Sequence, residues 1–403
     1  MQFGAGNIGR SFIGQLFARG GFEVVFVDVV EEVVAALNRE RRYRVEIKDR
    51  NPETIWVVNV RAVNGRDVEQ VAQELSDCAL CGTAVGPKAL PFLQPTIAQA
   101  LQLRRERGTT PLDVILCENL RDAAELMRKG LRQYLPTDFP LDDWVGLVET
   151  SIGKMVPIMP EEVRRTDPLL VYAEAYNTLI CDKKAFHNPI PPVPGLDAKD
   201  NMVAYVDRKS FIHNFGHALC AYFSHLEAPE LVYTWEAVEH PTVGPAVRAG
   251  MWEAGHALIA QYPDEFNENN LGEHIDDLLS RFANKALGDT IYRVGRDVSR
   301  KLGREDRVIG PLLLEIKHQL PHEITALCAA AGMRFLAHDE SGDTYAPDQE
   351  FAEGIYALGA AHVLTTVCEL RPGEAHDREA HQAVLQADAR LAARLREGGS
   401  IFA

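Results

Sequence analysis

Lys209, Asn214 and His217 stand in the spacing K-x4-N-x2-H within Arg208-Lys209-Ser210-Phe211-Ile212-His213-Asn214-Phe215-Gly216-His217. At the α-helical step of about 100° per residue, Asn214 lies roughly 140° from Lys209, while His217 lies about 80° from Lys209 and about 60° from Asn214. One helix can therefore present all three to a cleft. A lysine partly desolvated beside other polar groups has its pKa lowered toward neutrality, where it serves as a general base. An amide donor beside it stabilises a developing alkoxide. Taking a hydride from a secondary alcohol needs such a proton acceptor and such donors, without an obligatory metal. Gly216 would let another backbone or a substrate approach closely. The bland alternative is a solvated lysine, with His213 and His217 at i and i+4 forming a satisfied core pair or a weak metal pair. The helix alone leaves these open.

A hydride acceptor has its own signature at the start of the chain, Phe3-Gly4-Ala5-Gly6-Asn7-Ile8-Gly9-Arg10. Gly4, Gly6 and Gly9 occupy the three places of G-x-G-x-x-G. The first permits a tight turn, the second lets a pyrophosphate approach the backbone, and the third lets a helix pack closely on its strand. The apolar run Phe22 to Val27 follows, as expected of a buried parallel strand, and it ends in Asp28, 24 residues beyond Gly4. An acid there grips the adenosine ribose hydroxyls and repels a 2′-phosphate, so NAD is favoured over NADP. Only Met1-Gln2-Phe3 precede the turn. Either the first strand is short, or the natural start lies a few residues upstream.

These residues need elements to hold them. The sequence predicts helices over 29–42, 68–75, 88–107 and 121–134, alternating with buried strands at 22–27, 78–85 and 112–117. Tyr43–Lys48 and Ile55–Val63 read as an inserted β-hairpin. Trp144–Val156 and Leu169–Phe186 read as strands extending the sheet, with Met155–Pro160 as an irregular joint. The fold class expected is α/β: a Rossmann-like doubly wound sheet with added strands, binding its ligand along the carboxyl edge. The Pro-rich piece Asn188–Gly195 marks a boundary, giving a dinucleotide-binding domain over 1–190 and a helical substrate domain over 191–403. In the second, helices are expected near 201–225, 242–262, 270–283, 289–301, 308–319, 321–333, 348–370 and 374–397.

The formal net charge of −16 argues against nucleic acid or an anionic membrane as the main partner. No apolar run approaches the ~18 residues of a membrane span. Seven scattered cysteines, mostly in apolar stretches, read as buried thiols of a reducing cytoplasm. Cys78 and Cys81 have C-x-x-C spacing but lack a second pair, so no zinc site is expected. Against the acidic background, Arg293, Arg296, Arg300, Lys301, Arg304 and Arg307 place six cations in 15 positions. Arg293, Arg296 and Arg300 follow i, i+3, i+7 and would share one helix face suited to a phosphate. The competing possibility is a solvated basic face paired with Asp289, Asp297, Glu305 and Asp306.

Five separated motifs carry a resemblance over the first 334 residues or so: Phe3–Arg10, Thr83-Ala84-Val85-Gly86-Pro87, Cys117-Glu118-Asn119, the lysine helix, and a run from Arg293 to Leu313. The run comprises Arg293-Val-Gly-Arg296, Arg300-Lys-Leu302, Asp306-Arg307 and Pro311-Leu-Leu313. The chain resembles the polyol-specific long-chain dehydrogenase family, and within it the enzymes that use NAD without zinc to interconvert D-mannitol 1-phosphate and fructose 6-phosphate. The resemblance implies Lys209 as general base, Asn119 and Asn214 as the oxyanion site, and His217 as the residue orienting substrate hydroxyls. Cofactor contacts are expected from Gly4, Gly6, Asn7, Ile8, Gly9, Asp28, Thr83, Val85 and Gly86. Three departures lie outside the cofactor motifs, in stretches expected to border the substrate or the domain joint: Gly153-Lys154 replaces an Asp-Arg pair, Lys285 replaces a proline, and Asp297-Val-Ser299 lacks a proline. An unphosphorylated hexitol, pentitol or hexuronate is therefore the alternative substrate. A dinucleotide sensor without catalysis is disfavoured, since it would need only the glycine turn and Asp28. Oligomeric state, monomer or dimer, is left open.

Overall fold

The computed structural model describes residues 1–157 and 159–402, so Ile158 of the expected joint lies outside the described residues. The chain divides into two compact units, Met1–Val206 and Asp207–Ala403. The division expected after residue 190 falls inside the first unit, because the chain still adds a strand at Leu196–Lys199 to the sheet.

The first unit carries eleven strands: β1 Gln2–Phe3, β2 Val24–Asp28, β3 Arg42–Ile47, β4 Glu53–Val58, β5 Val60–Asn64, β6 Cys81–Thr83, β7 Leu112–Leu116, β8 Val145–Ser151, β9 Val171–Ala173, β10 Leu179–Asp182 and β11 Leu196–Lys199. Eight form one sheet in the order β11-β10-β8-β7-β6-β1-β2-β5, in which the six from β8 to β5 run parallel. That is the doubly wound order, with the chain reversing direction at β1. β10 adds antiparallel to β8, and β11 parallel to β10. Side-chain alternation sends Val25 and Val27 into one core with Val71, Leu75, Ile97 and Leu101, and Val24 and Phe26 into the other with Phe12, Leu16 and Tyr43.

Some elements differ from expectation. Ile55–Val63 is two strands, because Asn59 adopts φ 61° and turns the chain out of the hairpin. β4 pairs antiparallel with β3 in a separate three-stranded sheet completed by β9, whereas β5 joins the main sheet beside β2. β9 thus does not extend the main sheet. Only Cys81–Thr83 of the expected 78–85 strand pairs, so Cys78 lies before the strand and the two thiols are not opposed across it.

The second unit is helical. A run from Met202 to Glu227 begins in the first unit and passes at Lys209–Asn214 through a π-helical turn, with Phe215, Leu219, Tyr222 and Phe223 fully buried beyond it. Helices Val243–Gln261, Glu268–Phe282, Ile309–Lys317, Glu323–Gly332 and Ala375–Glu397 follow. Asn267 starts Glu268–Phe282 by accepting the Asn269 and Asn270 N–H groups at 3.0 and 3.1 Å, which fixes where His274, Arg281 and Phe282 fall around that helix. The helix expected over 289–301 is broken into Ile291–Gly295 and Val298–Lys301, with Asp297 at φ 71° between them. That over 348–370 is likewise a series of short pieces.

Candidate active site

In the first unit the carboxyl ends of β1, β2 and β6 lie together, since Phe3 is level with Val27 on one flank and Thr83 on the other. Gly4 leaves β1 at φ 87°, and a Cβ there would stand 2.5 Å from the Ala84 carbonyl oxygen. A Cβ on Gly9 would fall 1.9 Å from the Gly4 carbonyl oxygen, so the helix backs directly onto the turn. Gly6 is different. It is exposed, and a Cβ on it would meet no protein atom within 4 Å, which leaves the space in front of the turn to a ligand. Gly86, at φ 87°, is open in the same way. Asn7 is exposed and Ile8 half-buried on the first helical turn, which opens with the Arg10 N–H bonding the Gly6 carbonyl at 3.0 Å.

Asp28 sits at the end of β2, its Oδ2 accepting the Ala5 N–H at 2.7 Å and its Oδ1 the Val30 N–H at 3.0 Å. Ala5 is held from its other side by Arg10, whose Nε donates to the Ala5 carbonyl at 2.5 Å and whose guanidinium also reaches the Pro168 carbonyl at 2.8 Å. Arg10 is buried, and that burial pulls its pKa down against the opposing charges of Asp28 and Asp167. Thr83 is buried and donates to Glu118 Oε2 at 2.6 Å, while the Val85 N–H donates to Glu118 Oε1 at 3.1 Å. Burial raises the Glu118 pKa, offset in part by those bonds. Glu118 therefore ties the β6 loop to the end of β7 and carries the exposed Asn119 next to it. Arg10 and Glu118 were quoted only as motif letters in the sequence; their buried bonding is what assigns them work. Lys154, at one of the departures, is buried in this unit, 2.9 Å from Asn177 Oδ1 and 5.2 Å over the Phe12 ring.

In the second unit the π-turn changes the expected geometry. The Phe215 N–H reaches the Ser210 carbonyl five residues back, so residues five apart are turned less from one another than in an α-helix. Lys209 and Asn214 are such a pair, at the two ends of the turn. The structure thus brings them closer on one side than the α-helical step predicts. His217 follows one turn on, its ring 4.2 Å from that of Phe282 and 5.1 Å from that of His213. Its Nε2 is buried and has no hydrogen-bond partner among the described residues. Burial holds His217 well below the ordinary imidazole range, helped by the charges of Arg307, Lys301, Arg281 and Arg293. His213 is held down likewise, by burial first and then by His217, Arg281, Lys209 and His274. Both imidazoles are therefore neutral near neutral pH, able to donate from one nitrogen and accept at the other. Gly216 does not serve a substrate: a Cβ there would press on the Phe282 ring at 2.8 Å and the Met251 sulfur at 3.1 Å. It is a packing glycine.

The arginines expected to share a helix face do not, because the break at Asp297 separates them. Arg293 is ion-paired with Asp289, and Arg300 with Asp297 and, at 3.3 Å, with Asp306. Arg296 lies 5.4 Å from the rings of both Tyr292 and Tyr345 and makes no ion pair among the described residues. Lys301 turns inward, buried, donating to the Val294 carbonyl at 2.5 Å, and its burial beside Arg307 and Arg300 drives its pKa well down. Among the described residues no group of three His, Cys, Asp or Glu side chains is placed to hold a metal.

A glycine turn opening a doubly wound sheet, with an acid after its second strand, and a separate helical unit built on a Lys-Asn-His helix define a two-domain dehydrogenase architecture. Family models place it further: that of the mannitol dehydrogenase Rossmann domain matches residues 1–195, and that of the mannitol dehydrogenase C-terminal domain matches residues 201–389. The chain belongs to the mannitol dehydrogenase family. Among solved structures it is similar to Pseudomonas fluorescens mannitol 2-dehydrogenase, determined as a ternary complex with NAD and D-mannitol. That match is 18% identical, covers 97% of this chain and 91% of the other, and has a TM-score of 0.69. A D-sorbitol dehydrogenase in substrate-free form is 17% identical, with 99% and 93% coverage and a TM-score of 0.79. At these identities the likeness is one of fold.

Proposed function

We propose that this chain is an NAD-dependent dehydrogenase oxidising a secondary hydroxyl of an unphosphorylated polyol. The observation that carries it is the π-turn with Lys209 and Asn214 at its two ends, followed by a neutral His217 whose buried Nε2 has no hydrogen-bond partner among the described residues. The open space before Gly6 and Gly86, bounded by Asp28, fits a dinucleotide. Gly4, Gly6, Asn7, Ile8, Gly9, Thr83, Val85 and Gly86 would hold its phosphates and neighbouring groups, and Asp28 its ribose hydroxyls. NAD, when bound there, supplies the hydride acceptor. Lys209 takes the proton of the reacting hydroxyl, Asn214 donates to that oxygen as charge builds, and the His217 Nε2 orients a neighbouring hydroxyl. Asn119 is the second amide donor by family resemblance. The named relatives act on or bind polyols without phosphate, and the arginines that would grip a phosphate are largely satisfied by Asp289, Asp297 and Asp306.

The test is NADH formation from D-mannitol, D-sorbitol and D-mannitol 1-phosphate, with fructose and fructose 6-phosphate in reverse. Higher kcat/KM on the unphosphorylated pair supports the proposal. Turnover of the phosphate esters alone would sink it. A polyol phosphate, as in mannitol-1-phosphate 5-dehydrogenase, is the second reading, favoured by Arg296, whose guanidinium meets aromatic rings and no carboxylate.

A further inference from the structure

The second unit holds another buried imidazole nitrogen, the Nε2 of His274, that has no hydrogen-bond partner among the described residues. Buried polar atoms in folded proteins are nearly always satisfied, so an orphan beside a reaction site calls for a ligand group. His274 lies on Glu268–Phe282, and its spacing to Arg281 and Phe282, seven and eight residues on, places all three along one side of that helix. That side faces the lysine helix: the Phe282 ring lies 4.2 Å from His217 and 5.7 Å from His213. These two helices therefore pack on one another through Phe282, and the His274 charge is felt at His213 across the contact. Burial and the charges of Arg208 and Arg281 keep His274 well below the ordinary imidazole range. A neutral imidazole in that position suits a neutral hydroxyl, to which it can donate or from which it can accept.

We propose that His274 is a specificity-determining residue that hydrogen-bonds a polyol hydroxyl away from the reacting carbon. The inference rests on the polyol reading above and adds to it a second orphan nitrogen, on the helix packed against the lysine helix. A polyol has a hydroxyl on every carbon, and Lys209, Asn214 and His217 serve only those at and next to the reacting one. His274 then reads whether a more distant hydroxyl is present. Sites built to hydrogen-bond a hydroxyl reject analogues that lack it, because the protein group is left unpaired.

The experiment compares wild type, His274→Gln and His274→Leu on a hexitol and its singly deoxygenated analogues, measuring kcat/KM for each. In wild type, loss of one particular hydroxyl should lower kcat/KM by roughly 3- to 10-fold, the scale of one neutral hydrogen bond. His274→Leu should lower the parent hexitol by the same factor yet leave that one deoxy analogue nearly unchanged, and His274→Gln should retain part of the discrimination. Independently of any variant's folding, the His274 ring nitrogen signals of 15N-labelled wild type should move on adding hexitol and stay still with that deoxy analogue. Parallel losses on every substrate, or unmoved nitrogen signals, would overturn the subsite alone. A wild type that oxidises no polyol at all overturns the polyol reading, and the subsite with it.

Discussion

The two peptide groups that flank Ala5 are each pinned by charge: Asp28 takes the Ala5 N–H and Arg10 donates to the Ala5 carbonyl. Asp28 therefore fixes the turn, and in the proposed function it also meets the cofactor. Asp28→Ala should cut NAD affinity by roughly 10- to 100-fold, the range for hydrogen bonds to a charged group, while weakening NADP binding far less. The ratio of the two kcat/KM values checks this, and a wild type that uses NADPH as readily as NADH would refute the role. At Lys209 the expectation is kinetic. Lys209→Ala should keep its fold and its NADH binding while kcat falls by roughly 10²- to 10⁴-fold, the scale of one positioned acid–base group. Near-wild-type turnover would return the chain to the sensor reading. Both residues were legible because spacing alone places them, after a strand or on a helix. His274, Arg10 and Glu118 were not, since a lone histidine, arginine or glutamate in a mixed stretch looks solvated until its burial and partners are seen.

Among elements, the doubly wound class and the change from alternating to helical grammar could be read from hydrophobic period, which is a property of the local sequence. The breaks could not. Asn59 and Asp297 both adopt left-handed backbone angles, 61° and 71°, where non-glycine residues are uncommon. At Asp297 the reason is tertiary: the Asp348 carboxylate takes the Asp297 and Val298 N–H groups at 2.9 and 2.7 Å and so starts a new helix. No local pattern announces a cap supplied from 50 residues away. The π-turn at Lys209 is equally silent, because the apolar pattern around one widened turn still looks α-helical. The break at Asp297 bears on the phosphate question. With Arg300 satisfied by Asp297 and Asp306, Arg300→Ala should change KM for fructose 6-phosphate and fructose alike, by no more than about 3-fold. Arg296→Ala is the discriminating variant, since that guanidinium has no acid partner. A rise of roughly 10- to 10³-fold confined to the phosphate ester would favour the second reading; an equal, small change supports the unphosphorylated substrate.

For the whole molecule, membership of the mannitol dehydrogenase family makes small-molecule chemistry the work to be explained. That work has a cost in stability, and it appears as a pH dependence. His213, His217 and His274 are buried neutral, with folded pKa values well below the ordinary 6.5. Below about pH 6.5 the unfolded chain takes up protons that the folded chain refuses. Unfolding is then linked to proton uptake, so stability falls as pH falls, by up to about 1.4 kcal/mol per pH unit for each such histidine, and is fully present above pH 6.5. Glu315 works the other way. Its carboxyl is fully buried beside Glu253, and its raised pKa makes the folded state hold a proton that the unfolded state releases above about 4.5, so its contribution fades as pH rises. The two slopes partly cancel in wild type, and a bare pH profile of Tm would not separate them. His213→Leu does, because it deletes one histidine and leaves Glu315 in place. Whatever the variant loses in packing at pH 7.5, its Tm relative to wild type should climb steadily between pH 6.5 and 5.5. Parallel profiles across that window would mean that His213 titrates normally in the fold.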